Sequence, residues 1–154
     1  MTPSKGYAGD HGQANRTFDL ACQGSEKRLH LTSPDSGETR DRSRNIRISL
    51  NLASREYCYG QDGSPITHWT EDGPVYHIHL VSGSKITLQD GLSPKFVDTD
   101  VRFYDSEEID RVNGDYTYEE VKIFADGRKL ILVDGFLTCH KAGYTPCSQS
   151  KRQF

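Results

Sequence analysis

Apolar and polar residues alternate with a period of two along much of the chain. The clearest case is residues 45–52, whose two faces hold Ile46, Ile48, Leu50 and Leu52 against Arg47, Ser49 and Asn51. This pattern is typical of an antiparallel strand with one buried face. Residues 17–22 alternate in the same way. We predict further strands at 56–59, 66–70, 75–81, 85–89, 101–104, 107–112, 116–124 and 129–139.

Glycine-containing dipeptides separate these stretches. Asx-Gly pairs favour tight hairpin turns, because both residues accept positive φ angles. They begin at Asp62, Asp72, Asp90, Asn113, Asp126 and Asp134. The last pair interrupts an apolar strand and is interpreted as a bulge. Gly24–Arg44, rich in Ser, Thr, Asp and Arg, is predicted to be a long polar connection.

Short strands joined by tight turns predict an all-β fold, a single antiparallel meander. We expect about eight strands, closed as a small β-barrel or folded as a sandwich. The length of 154 residues corresponds to one domain. Residues 1–16, with several Gly, Ser and Pro, are predicted to be a flexible, disordered N-terminal tail. The single β domain is then 17–154.

Composition narrows the function classes. Eight Tyr, six Phe and one Trp indicate a packed core despite a mean hydropathy of −0.72. No apolar run reaches the ~18 residues of a membrane-spanning helix. A net charge of −3 and a pI near 6.0 argue against a strongly basic nucleic-acid binder, so no nucleic-acid partner is predicted.

The four cysteines are Cys22, Cys58, Cys139 and Cys147. An even number of cysteines in a small exported domain predicts two disulfides, which four cysteines can form in three alternative pairings. In a cytosolic protein all four would remain thiols. Cys22 and Cys139 end the first and last predicted strands, and pairing them, with Cys58–Cys147 as the second bond, would join the chain ends. Alternatively, Cys139 and Cys147 close the loop between them. No CxxC spacing supports a zinc or redox centre.

Several short stretches resemble a group of small uncharacterised proteobacterial exported proteins. They are the sequences at 18–24, 48–50 leading to Tyr57-Cys58, 109–114 and 138–141, with a terminal Phe154. The resemblance implies export and paired cysteines, but no activity. Residues 1–16 contain no apolar signal segment. We therefore expect a periplasmic or secreted protein if a signal peptide has been removed, and a cytoplasmic one otherwise.

His77 and His79 form the first candidate site. Two histidines separated by one residue on a strand point the same way, which suits two ligands of one divalent metal. A two-residue loop before Lys85 would place them inside beside Ile86 and Leu88. A three-residue loop would place them in water. No other cofactor is predicted.

Carboxylates form the second candidate site, between residues 98 and 120. A two-residue hairpin loop at Asn113-Gly114 would place Glu108 opposite Glu119 and Glu107 opposite Glu120. Asp110 and Asp134 would share the face of Glu108. Such a cluster suits cation binding or acid–base chemistry. The alternative is a solvated rim that keeps a sheet edge from pairing.

The stretch 40–55 carries five arginines and one aspartate. It is interpreted as the complement of the acidic stretch, within the molecule or between two copies as a homodimer. We predict a non-enzymatic binding module for a small molecule or protein, with Trp69, His77, His79, Glu108, Asp110 and Glu119 at its site. One alternative is a metal-dependent or acid–base enzyme that uses the same groups. Another is an inhibitor or immunity-type protein that binds a partner through a charged face.

Overall fold

The structure, a computed structural model, describes residues 16–33, 35–60, 75–93 and 100–144. These residues form nine strands: β1 Thr17–Ser33, β2 Ser36–Asn51, β3 Glu56–Gly60, β4 Tyr76–His77, β5 Leu80–Ser82, β6 Lys85–Leu92, β7 Val101–Asp110, β8 Asp115–Phe124 and β9 Lys129–Ala142. The all-β prediction is therefore confirmed. The predicted tail, the predicted strand at 66–70, Trp69 and Cys147 lie outside the described residues.

The strands form one antiparallel sheet in the order β4-β3-β2-β1-β9-β8-β7-β6-β5. Strands β1 to β4 and β5 to β9 are each meanders, since every strand pairs with the next along the chain. The first long strand, β1, lies beside the last, β9. In the described part of the chain, no helix is long and apolar enough to cross a membrane.

The described residues divide into two compact units. The first contains 16–22, 45–60, 75–78 and 140–144. Its core is Phe18, Leu20, Cys22, Ile46, Ile48, Leu50, Tyr57, Cys58 and Ile78. The second contains 23–33, 35–44, 79–93 and 100–139. Its core is Ile86, Leu88, Ile109, Tyr116, Val121, Val133, Leu137 and Cys139. The predicted burial of Ile46, Ile48 and Leu50 is confirmed. The predicted alternation of burial is wrong at Ser49, which was expected on the solvated face but is fully buried and donates a hydrogen bond to Asp19.

The prediction of a long polar connection over Gly24–Arg44 is wrong. Both halves of this stretch are strand, and the turn between β1 and β2 is held by a 2.6 Å hydrogen bond between the Ser33 and Ser36 hydroxyls. Hydropathy misleads here because the inward positions are charged. The carboxylate of Glu26 is fully buried and forms ion pairs with Arg28 and Arg44.

Two other strand boundaries differ from the predictions. The stretches 101–104 and 107–112 are one strand, β7, which continues through the polar residues between them. Asp90-Gly91 is not a turn but lies inside β6, where Gly91 is paired with Asp105. The turns predicted at Asn113-Gly114 and Asp126-Gly127 are confirmed, with φ of 80° at Gly114 and 90° at Gly127.

Candidate functional site

The loop between β7 and β8 sets which acidic residues face each other. It contains four residues, 111–114, and is closed by a 2.8 Å hydrogen bond from the Gly114 amide to the Asp110 carbonyl. Glu108 is therefore opposite Thr117. Glu119 is opposite Ser106. The predicted opposition of Glu108 and Glu119 is wrong, because the loop is two residues longer than the one assumed.

Despite this shift, the predicted face is preserved. A change of two residues in loop length moves each partner by two positions, so the same side chains remain on the same side of the sheet. The face that holds Glu108, Asp110 and Glu119 also holds Asp134, which is directly opposite Glu119. The prediction that these carboxylates share one face is therefore confirmed, whereas the predicted cross-strand partners are wrong.

Two rows of directly opposed residues cross β6, β7, β8 and β9 on this face. The first row is Asp90, Ser106, Glu119 and Asp134, and the second is Thr87, Glu108, Thr117 and Phe136. All the residues of these two rows except Phe136 line a cleft of about 340 Å³. Gln89, Glu107 and Tyr118 also contribute to its lining, although they alternate with these residues along the strands and their side chains bond to groups of the opposite face. We call this feature the acidic cleft, since half of its lining residues carry carboxylates.

The carboxylates of the acidic cleft have different partners. Lys85 Nζ lies 2.8 Å from Glu108 Oε1. This contact raises the pKa of Lys85, chiefly through the hydrogen bond to Glu108. The Tyr104 hydroxyl donates a hydrogen bond to Asp90. Within the part of the chain that the structure describes, neither Glu119 nor Asp134 forms an ion pair.

An exposed aromatic ring lies at the end of the second row. Phe136 is 54% exposed and is directly opposite Thr117, two positions along β9 from Asp134. A ring beside carboxylates can contact the alkyl or guanidinium part of a cationic side chain. Neither Phe136 nor Asp90 was predicted as a site residue from the sequence. The turn signal at Asp90-Gly91 concealed Asp90, and no local pattern marks Phe136 as exposed.

The opposite face of the same strands carries a network of buried polar groups. Glu26 accepts hydrogen bonds from Arg44 at 2.7 Å, Tyr118 at 2.6 Å and Arg28 at 2.9 Å. Burial alone would raise the pKa of Glu26. The hydrogen bonds from Tyr118 and Arg28 and the two guanidinium charges outweigh burial and lower it. Burial and the bond to Glu26 raise the pKa of Tyr118 far above its ordinary value.

The network continues along β8 to β7 and β6. The Tyr116 and Tyr118 rings are 5.1 Å apart, and the Tyr116 hydroxyl donates a hydrogen bond to Glu107. Glu107 also accepts a 2.6 Å hydrogen bond from Gln89 Nε2. These contacts give partners to the hydroxyls of the buried Tyr116 and the partly buried Tyr118, and to the carboxylates of the buried Glu26 and the partly buried Glu107. They fix the strands that carry the acidic cleft on their other face.

Comparison of the chain with protein-family models, curated proteins and solved structures finds no match. The resemblance to exported proteins therefore stays a prediction.

The structure places both predicted histidines at the surface. The loop between β5 and β6 has two residues, Gly83-Ser84, yet His77 and His79 are exposed. Alternation breaks after the buried Ile78, because His79 and Leu80 are both exposed. Among the described residues, no group of three or more His, Cys, Asp or Glu side chains is arranged to hold a metal ion.

The predicted oxidation of the cysteines is confirmed where the structure describes them. Cys22, Cys58 and Cys139 are disulfide-bonded. The separation of Cys22 and Cys139 is that of a disulfide, which supports the predicted pairing.

The arginines of β2 have partners other than the acidic stretch. Arg44 pairs with Glu26, and Arg47 Nε lies 3.0 Å from the fully buried carboxylate of Asp19. Both carboxylates belong to β1. The interpretation that the basic stretch complements residues 98–120 is therefore wrong for these two arginines, whose charges balance the neighbouring strand.

Proposed function

We propose that this protein is a non-enzymatic binding module whose acidic cleft takes a cationic segment of a partner protein. The observation that carries the proposal is the direct opposition of Glu119 and Asp134 in the cleft. Like charges directly opposite on a sheet are unfavourable. A bound Lys or Arg side chain between them would convert this repulsion into attraction.

The dimensions and lining of the cleft support a peptide segment as the ligand. A volume of about 340 Å³ accommodates one or two long side chains. Thr87, Ser106 and Thr117 add hydroxyl groups that can bond to a peptide backbone or guanidinium group. Phe136 offers a ring for stacking of a guanidinium group. An inhibitor or immunity-type protein would bind a basic partner through the same face.

The proposal is tested with a fluorescein-labelled hexa-arginine peptide and fluorescence anisotropy. The double variant Glu119→Gln/Asp134→Asn removes the opposed charges. Asp35→Asn/Asp41→Asn removes the same charge from outside the cleft. We expect the cleft variant to weaken binding at least tenfold and the control to change it less than twofold. Equal losses in both variants would show that only the net charge attracts the peptide, which would refute the proposal.

The aromatic contribution is tested separately with Phe136→Ala and Phe136→Leu. If the ring stacks on a guanidinium group, both variants weaken hexa-arginine binding more than hexa-lysine binding. Ile131, which is 51% exposed on the same strand and outside the cleft lining, gives the control Ile131→Ala. A loss equal to that of the control would remove Phe136 from the site.

We propose that the protein works in an oxidising compartment, the periplasm or the extracellular space. The disulfide-bonded Cys22, Cys58 and Cys139 support this location, because disulfides persist mainly in exported proteins. The test is the denatured mass of protein purified from its native host under alkylating conditions. Two disulfides and no alkylated thiol are expected. Alkylation at all four cysteines would contradict the proposal.

A further inference from the structure

Lys85 brings a positive charge to one carboxylate of the acidic cleft. It begins β6 directly opposite Asp110, and Thr87, two residues later, is directly opposite Glu108. Because side chains alternate along a strand and directly opposed residues share a face, Lys85 lies on the same face as Glu108 and Asp110. Its ammonium nitrogen is 2.8 Å from Glu108 Oε1. A cation of the chain itself is therefore bound to a carboxylate that lines the cleft.

The backbone next to Lys85 is fixed, whereas its side chain is exposed. The Arg111 amide donates a 2.8 Å hydrogen bond to the Ser84 carbonyl, and Arg111 Nη2 donates one of 2.9 Å to the Gly83 carbonyl. These bonds join the loop between β5 and β6 to the loop between β7 and β8. The Lys85 side chain is 56% exposed and that of Glu108 is 40% exposed. The ammonium group can therefore leave Glu108 without movement of the strands.

The two parts of the acidic cleft differ in how their charge is balanced. Glu108 has Lys85 as a counter-ion. Glu119 and Asp134 oppose each other, and neither forms an ion pair within the described residues. Thr117, opposite Glu108, is two positions from Glu119 on β8, a spacing of about 7 Å. Side chains at positions i and i+2 of an extended segment have the same spacing, so two cationic side chains of one ligand can meet both parts.

We propose that Lys85 is an internal competitor for the cationic ligand of the acidic cleft. Its ammonium group occupies Glu108 in the free protein and is displaced when a second cationic side chain of the ligand arrives. This inference rests on the proposed function, because it concerns the same cleft and the same ligand. Exposed ion pairs contribute little to stability, so the displacement costs little. An arginine of the ligand has an advantage over Lys85, since a guanidinium group can donate two parallel hydrogen bonds to one carboxylate.

Removal of the Lys85 charge tests the competition by fluorescence anisotropy with labelled hexa-arginine. Lys85→Met should tighten binding about threefold to fivefold at low salt, because the ligand then reaches Glu108 without displacing a cation. Lys129→Met is the control, since Lys129 is an exposed residue of β9 outside the cleft lining and the net charge changes equally. It should change binding by no more than about 1.5-fold. Equal gains in both variants would overturn the proposal.

A double-mutant cycle shows whether Lys85 acts through Glu108. In the Glu108→Gln background the competitor has lost its site, so the further change Lys85→Met should have no larger effect than Lys129→Met. A gain that persists undiminished in this background would mean that Lys85 only repels the peptide, and would also overturn the proposal. Circular dichroism confirms that each variant is folded.

The release of Lys85 is measured on the wild-type protein by acetylation with acetic anhydride and mass spectrometry. Only the neutral amine reacts, and the contact with Glu108 raises the pKa of Lys85. Saturation with hexa-arginine should therefore increase the acetylation of Lys85 about twofold, while that of Lys129 stays unchanged. Acetylation of Lys85 that falls or stays the same would show that the ion pair survives ligand binding, and the competitor role would be refuted.

These results are distinguishable from failure of the proposed function. If hexa-arginine binds equally well to Glu119→Gln/Asp134→Asn and to the wild type, the cleft is not its site and both proposals fail. If that variant binds weakly while Lys85→Met and Lys129→Met behave alike, the cleft binds the peptide and only the role of Lys85 is refuted.

Discussion

The ring of Tyr118 on β8 occupies the space directly above Gly135 on β9, where any other residue would place its Cβ atom. From this position the Tyr118 hydroxyl reaches Glu26 on β1, which lies beyond β9 in the sheet. The missing side chain at position 135 thus allows a hydrogen bond between strands that are not neighbours. It connects β8 to the buried ion pairs of Glu26.

Replacement of Gly135 by alanine should destabilise the protein. The new Cβ would overlap the Tyr118 ring and displace its hydroxyl from Glu26. We expect a loss of about 1–3 kcal/mol in the free energy of unfolding, as for other overpacked interiors. Urea unfolding at pH 7 measures it. Gly91→Ala is the control, because its Cβ meets nothing within 4 Å, and a loss as large as that of Gly135→Ala would contradict this explanation.

The buried Glu26 should make stability depend on acidic pH. Its pKa is lower in the folded chain than its ordinary value, so the folded state favours the carboxylate. This stabilisation is fully present above the unfolded pKa of about 4.3 and is lost as the pH falls through the folded pKa. Glu26→Gln should cost about 2–3 kcal/mol at pH 7.

The comparison with wild type is made by urea unfolding between pH 7 and pH 3. The difference between the two proteins should shrink as the pH falls below the unfolded pKa of about 4.3, because the unfolded wild-type chain takes up a proton on Glu26 there, whereas the folded chain does so only at lower pH. A difference that stays constant over this range would show that Glu26 contributes through packing alone.

The ion pair of Asp19 and Arg47 should matter more than the exposed pair on β2. The Asp19 carboxylate is fully buried and also accepts a hydrogen bond from the Ser49 hydroxyl. Arg47→Met would leave this charge without its cation, at a cost of about 3 kcal/mol. Arg40→Met removes an exposed partner of Glu38 and should have little effect on stability. Equal changes in melting temperature would contradict this ranking.

The opposed Glu119 and Asp134 should reduce the stability of the free protein. Removal of one charge by Glu119→Gln relieves the repulsion and should raise the free energy of unfolding by a few tenths of a kcal/mol. The same variant should bind hexa-arginine more weakly, so stability and affinity change in opposite directions. Differential scanning calorimetry at low salt measures the stability. A decrease in stability would show that the two carboxylates do not repel each other in the folded state.

The sequence predicted strands best where one face is apolar. Alternation identified Ile46, Ile48 and Leu50 as core because burial of apolar side chains dominates that part of the sheet. It missed the β1–β2 hairpin, where Glu26 and Arg44 neutralise each other in the interior. Because this ion pair joins residues that are distant in sequence, it cannot be predicted from the hydropathy of either stretch alone.

The candidate site was predicted only in part. The prediction that Glu108, Glu119 and Asp134 share one face of the sheet is confirmed. An error of two residues in loop length does not change which side of the sheet a side chain is on. The individual partners were wrong, because they depend on the exact number of residues in each turn. The bulge at Leu88, between Thr87 and Gln89, is equally absent from the sequence pattern, and it brings Asp90 into the row of Glu119.

A second bulge, at Leu132, separates the cross-strand pairs of the acidic cleft from those near the tip of the β8–β9 hairpin. Glu120 is opposite Val133, whereas Val121 is opposite Ile131, so Leu132 is an extra residue between the cleft and the turn. Deletion of Leu132 would leave the cross-strand pairs on both sides of the bulge between β8 and β9 intact. If the pairing of β8 and β9 shifted by one residue near the turn, the bulge at Leu132 would absorb the shift, and the pairs in the cleft would not change. The hairpin tip can therefore vary in length over generations without changing which charges meet in the cleft.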